Sequence, residues 1–234
     1  MSIHALTHEE IGKVVSAMDY AEPLSLTSTE ADVRIACEAA KRYGFRAVVA
    51  FPQFLGVLVD CLKGSGVLAQ IPVGFPCGGQ TTYVKCKEAE EGLQRGATDL
   101  DMVMNLAAFQ AGDYKRVTED IQAVLAVAKL FGVPFKVIIE VGLWSDEQIR
   151  TAADLVADSG ADFVKTCTGF ATGRASIHII RMIKEVVGER VGIKATGGNV
   201  SIEDCYALMQ AGASIVAMRG FLLEQLKAAG WERK

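Results

Sequence analysis

"MDYAEPLSLT", residues 18–27, is the first junction between an apolar run and a helical stretch, and it holds no glycine. An open, doubly wound sheet that binds a dinucleotide needs glycines at that place. A G-x-G-x-x-G turn lets the backbone approach a pyrophosphate and seats it on a helix N-terminus. Here an aspartate, Asp19, closes the apolar run and a polar loop follows. The junction therefore speaks against the open sheet, and the rest of the chain decides what replaces it.

Outward from it, short β-branched runs alternate with helical patterns to the end. The runs are 14–19, 47–52, 69–76, 99–105, 135–141, 163–168, 192–196 and 214–220. They are near-continuously apolar, as strands covered on both faces are. The intervening stretches carry helix signals. Thr27 to Glu30 fits a capping box, with Val33, Cys37, Ala40 and Tyr43 on one face and Gly44 as the stop. Val117, Ile121, Val124, Ala128 and Phe131 recur at helical spacing, and Gly132 and Pro134 end that helix. Ser145 to Gln148 is a second box, whose helix runs out at Gly160. Eight strand–helix units without a linker predict one domain over 1–234, a closed (β/α)8 (TIM) barrel.

Composition narrows the chemistry. The 234 residues are half apolar with a net charge of −4, and the basic residues are scattered, so no nucleic-acid footprint is expected. No apolar run approaches the ~20 residues of a membrane span, and "MSIHALTHEE" lacks the basic-then-apolar layout of a leader. The six cysteines (37, 61, 77, 86, 167, 205) fall in apparent core segments without a C-x-x-C pair. That pattern fits free thiols in a reducing cytoplasm. Only three histidines occur, His4, His8 and His178, and none has metal-ligand spacing. Their scarcity argues against a His-built zinc site and against Ser–His–Asp or Cys–His nucleophiles, so neither a metal nor another cofactor is expected.

Catalytic groups of a barrel gather at the C-terminal ends of its strands. Those positions hold Asp19, Asp101, Lys165 and Lys194, and glycine-rich loops follow strands three ("GFPCGG"), six ("TGFATG") and seven ("TGGN"). A neutral amine adds to a carbonyl to give an imine. Burial beside a second ammonium lowers an amine's pKa enough for that. Lys165 and Lys194 stand on adjacent strands, and Asp101 can balance the charge. Structural salt bridging, or snorkelling to the rim, accounts for any one of these residues taken alone. The amides of "TGF" and "TGG", with a helix starting near Ser201, form an expected anion site.

"DLDMVMN", "KVIIE", "FVKTCTGF" and "GIKATGGN", in that order and spacing, resemble the deoxyribose-phosphate aldolase family, as does "GFPCGGQTTYVKCKEAE". The resemblance spans roughly residues 12–220. It implies a Schiff-base (class I) aldolase acting on a short sugar phosphate, by default 2-deoxyribose 5-phosphate, with glyceraldehyde 3-phosphate and acetaldehyde as products. By position, Lys165 matches the Schiff-base lysine, Lys194 the lysine that lowers its pKa, and Asp101 the aspartate that moves protons through water. Asp19 matches a supporting aspartate, and Gly169, Gly197 and Gly198 match backbone that holds phosphate; Thr168, Arg219 and Gly220 complete the implied substrate-binding set. Lys136 matches a lysine at the start of strand five, where a structural pairing with an acid is expected. The chain departs from the family at strand eight. Ala217, Met218, Arg219 and Gly220 replace a Gly-Thr-Ser-Ser-like segment, and Val49 and Asn199 also differ. Arg219 could grip a phosphate or a carboxylate, or point outward. A transaldolase-like lyase and a catalytically silent sugar-phosphate binder remain open, as does a homo-oligomer.

Overall fold

The computed structural model describes residues 6–199 and 201–232, so His4 lies outside the described residues. Eight parallel strands follow one another round a closed barrel: β1 (Met18–Tyr20), β2 (Ala47–Val49), β3 (Leu68–Val73), β4 (Asp99–Val103), β5 (Phe135–Ile138), β6 (Phe163–Lys165), β7 (Gly192–Ala195) and β8 (Ile215–Met218). β8 pairs back onto β1, with Asp19 opposite Ala217. Around them lie α1 (His8–Ser16), α2 (Glu30–Tyr43), α3 (Leu55–Leu62), α4 (Thr82–Gln94), α5 (Leu106–Gln110), α6 (Tyr114–Phe131), α7 (Asp146–Ser159), α8 (Ile177–Val187), α9 (Ile202–Gln210) and α10 (Leu222–Ala228). This is the (β/α)8 barrel that the alternation predicts.

Seven of the eight strands end one to three residues before the expected runs do, and two helix boundaries differ in kind. The run 14–19 is not all strand, because Val14–Ser16 finish α1, which precedes the barrel. Thr7 and Glu10 cap α1 reciprocally, and Ile11, Val14 and Val15 share its buried face, so helical spacing wins over β-branching. The box at the start of α2 is Thr29 with Asp32, not Thr27 with Glu30. Asp32 accepts from the Thr29 amide at 2.8 Å, doing with a shorter side chain what Glu does elsewhere. Gly44, Gly132 and Gly160 end α2, α6 and α7 in left-handed conformation, as expected.

Branched apolar side chains fill the interior of most such barrels; this interior is polar. Asp19, Gln70, Asp99, Asp101, Lys136 and Lys194 are fully buried and Lys165 nearly so. Register sets them side by side: Asp101 is opposite Lys136, and Lys165 opposite Lys194. Toward the N-terminal end Phe163 occupies the interior, where a Cβ on Gly192 would stand 2.4 Å from its ring. The helix layer has a buried pair of its own. Lys85 of α4 reaches Asp120 of α6 at 2.6 Å, with Thr82 on the other carboxylate oxygen at 2.7 Å. Among the described residues no helix is long and apolar enough to cross a membrane.

Candidate active site

Each polar strand position enters one connected network. Lys165 and Lys194 donate to the same oxygen of Asp101, Oδ2, at 2.6 and 2.7 Å. Gln70 accepts from Lys194 at 2.8 Å and donates to Asp101 Oδ1 at 3.1 Å. Lys194 also pairs with Asp19 at 2.6 Å. Nearer the N-terminal end, Lys136 pairs with Asp99 and lies 3.3 Å from Asp101. Arg46 joins Asp19 at 2.5 Å to Asp99 at 2.8 Å. The expected acidic partner of Lys136 is thus Asp99. Arg46 and Gln70 escaped the sequence reading; a polar residue at the start of "RAVVA" and one between Ala69 and Ile71 were the available signals.

Four cationic groups here face three carboxylates, and the charges balance when one lysine is neutral. Physical forces single out Lys165. Burial lowers its pKa to about 8; Lys194 and Lys136 push the same way, while Asp101 opposes them. Burial also penalises the Lys194 ammonium, but Asp101, Asp19 and Asp99 more than offset it and hold the pKa above the ordinary value. Burial would raise Asp101, yet Lys165, Lys194 and Lys136 keep it well below the usual carboxylate range. Asp99, where burial outweighs Lys136 and Arg46, is shifted upward. Access agrees with this assignment, for Lys165 is 4% exposed and Lys194 0%.

Above the lysines opens a cavity of about 270 Å³. Lys165, Thr168, Gly169, Lys194, Gly197, Gly198 and Arg219 line it together, as the sequence pattern brings them. The three glycines have φ of 80°, 96° and 78°, which a residue with a Cβ rarely adopts. Asp101 and Asp19 lie beneath it and reach it only through the lysines. The Thr168 hydroxyl is already committed, donating to Glu140 at 2.5 Å and accepting from the Phe170 amide at 3.0 Å. Gly220 does not line the cavity, and its amide donates to Glu22 at 2.5 Å. The start of α9 is elsewhere too. Ser201 caps it, the Ile202 amide donates to Gln225, and both residues line a separate hollow against α1.

Arg219 does not point away from the cavity. It spans two loops, donating to the carbonyls of Gly169 at 3.0 Å and Leu24 at 3.3 Å, over the ring of Phe170. A second arginine, Arg174, stands against Gly198 and has no hydrogen-bond or ion-pair partner among the described residues. The sequence reading missed it, because it follows the glycines of "TGFATGR" as an ordinary surface arginine would. Asn199 ties two strand ends, donating to the carbonyls of Ala195 and Ala217. Phe51, Phe75 and Phe170 meet edge-to-face, and Arg219 lies over the Phe170 ring. Cys37, Cys167 and Cys205 are buried, but Cys77 is exposed in the loop after β3, and none of the six cysteines is paired. That exposure corrects the expectation that all six lie in the core.

The sequence profile of the DeoC/LacD family aldolases matches residues 13–223. The deoxyribose-phosphate aldolase of Carboxydothermus hydrogenoformans is 40% identical over 193 residues, covering 82% of this chain and 85% of that one. That of Caldanaerobacter subterraneus is 38% identical over 210 residues, covering 88% and 91%. Among solved structures, the deoxyribose phosphate aldolase of Aeropyrum pernix, described as a tetramer, superposes with a TM-score of 0.86 at 30% identity, covering 94% and 92%. The match runs through every strand that carries the lysine–aspartate network, and the chain belongs to the DeoC/LacD family of aldolases.

Proposed function

We propose that the chain is a class I aldolase that cleaves, or in reverse makes, 2-deoxyribose 5-phosphate, yielding glyceraldehyde 3-phosphate and acetaldehyde. The observation that carries this reading is Lys165, a buried amine with a pKa lowered to about 8, set at the floor of a cavity rimmed by glycine turns and two arginines. An amine so placed is partly neutral near pH 8 and nucleophilic. Its nitrogen adds to C1 of the open-chain aldol, and loss of water gives an iminium. The C3 hydroxyl gives up its proton, the C2–C3 bond breaks, and the electron pair moves onto the iminium nitrogen as an enamine. Protonation at C2 and hydrolysis release acetaldehyde and restore the amine. Asp101, below the nitrogen, moves protons through water, and Lys194 keeps Lys165 from taking up a proton.

The phosphate is assigned to the amides of Gly169, Gly197 and Gly198, with Arg174 and Arg219 above them. Arg219 now donates to two neutral carbonyls. A phosphate is a stronger acceptor, and its charge-assisted bonds are roughly twice as strong. A cytoplasmic setting is supported by the unpaired cysteines, and a homo-oligomer by the tetrameric description of the A. pernix relative.

Borohydride reduction with 2-deoxyribose 5-phosphate, followed by peptide mass mapping, tests the reading. The expected result is one reduced adduct, on Lys165, with acetaldehyde as free product and activity retained in EDTA. Absence of that adduct would sink it. Transfer of a three-carbon ketose unit would make the protein transaldolase-like, and binding without turnover across a sugar panel would make it a silent barrel.

A further inference from the structure

Glu140 follows β5 and takes no part in the reaction just described, yet two features of it are costly to fold. It alone among the described residues, glycines aside, has positive φ (53°). Its side chain is buried, and Oε1 has no hydrogen-bond partner among the described residues. A side chain in the left-handed region and a buried acceptor left unpaired both oppose folding. All of its side-chain hydrogen bonding goes to one place. Oε2 accepts from the Thr168 amide at 3.0 Å and from the Thr168 hydroxyl at 2.5 Å. The hydroxyl oxygen in turn holds the Phe170 amide, so the turn bearing Gly169 is fixed from both sides. Two residues on, Gly142 meets Gly173 backbone to backbone, and a Cβ on Gly142 would stand 2.2 Å from its Cα. The loop after β5 is thereby a rigid brace for the loop after β6. Glu140 itself does not line the cavity.

We propose that Glu140 is a positioning residue that presents the 168–170 turn to the terminal phosphate of the substrate, its strained backbone and half-used carboxylate being retained for anion affinity at the expense of stability. The inference rests on the phosphate placement above. It differs from a structural role in sign, because relieving the strain should leave stability intact while anion binding is lost.

The test compares Glu140→Gln, which keeps one acceptor, with Glu140→Gly, which removes the carboxylate and accepts positive φ without strain. For both, KM for 2-deoxyribose 5-phosphate should rise at least tenfold with kcat down less than threefold. KM for unphosphorylated 2-deoxyribose should stay within twofold. The thermal midpoint should fall by no more than about 2 °C, a shift worth less than ~1 kcal/mol in a chain of this size. Thr168→Val should raise KM similarly, and the Glu140→Gln/Thr168→Val pair should do no more than the larger single change. A lowered midpoint with an unchanged KM would make Glu140 structural, and equal changes for both sugars would detach it from the phosphate. Calorimetric titration with inorganic phosphate separates this inference from the reaction assignment. Weaker phosphate binding in Glu140→Gln supports it even if wild-type Lys165 yields no borohydride adduct. Undiminished phosphate binding overturns it even if the adduct forms.

Discussion

Lys165, Lys194 and Asp101 act through one carboxylate oxygen, so changes to any of them should be read as changes to a unit. Lys165→Arg keeps a cation but removes the proposed nucleophile, and single-turnover assays should find no cleavage while circular dichroism stays native. Asp101→Asn should lower kcat by ~10²–10⁴-fold, the usual worth of a positioned acid–base group. The pH dependence has a defined sign. An amine of pKa about 8 is protonated and inert below that value, so kcat/KM should rise with pH through about 8 and then level. In Lys194→Met one of the charges that depress Lys165 is gone. The rising limb should then move at least one pH unit upward; an unmoved limb would mean Lys194 does not set it. These residues were legible because charge in an apolar strand is conspicuous. Arg174 and Glu140 were not, since an arginine in a loop and a glutamate after "KVII" look like surface residues until the loops are folded over one another.

At the scale of elements, the periodic helices and their glycine stops could be read from the chain, because those signals are local. The N-terminal helix could not be separated from β1: Val14 and Val15 suit strand and helix alike, and only the Thr7–Glu10 box decides between them. The pair joining α4 to α6 was likewise hidden, since "TTYVKCKEAEE" reads as a charged, solvated helix. Its energetics make a prediction. Lys85→Met leaves Asp120 buried with only Thr82 as partner and should cost about 3–5 kcal/mol in urea unfolding. Lys85→Met with Asp120→Leu should recover most of that loss, because removing both charges removes the desolvation cost along with the attraction.

For the whole molecule, strand count and the glycine-free first junction sufficed to predict closure. What closure does to charge could not be read from a one-dimensional pattern. It places Arg46, at the N-terminal end of the barrel, in the same network as Lys165 near the mouth, linked through Asp19 and Lys194. Arg46→Met should therefore act at a distance. With one cation fewer there is less to hold Lys165 neutral, and the kcat/KM limb should move to higher pH by about half a unit or more, each unit being 1.36 kcal/mol. Stability should fall as well, because Asp19 and Asp99 lose a buried partner.

The count of four cations against three carboxylates bears on the intermediate as well as the resting protein. With Lys165 neutral the barrel's interior is electrically closed. Once its nitrogen becomes the iminium of the proposed reaction, the same interior carries one surplus positive charge, and that surplus sits on the atom that must receive the electron pair of the breaking carbon–carbon bond. Enamine formation takes it off the nitrogen, and the proton given up by the C3 hydroxyl carries it away through Asp101 and water. On the proposed reaction the scaffold thus favours bond cleavage from the iminium, because the barrel's own carboxylates leave that cation uncompensated.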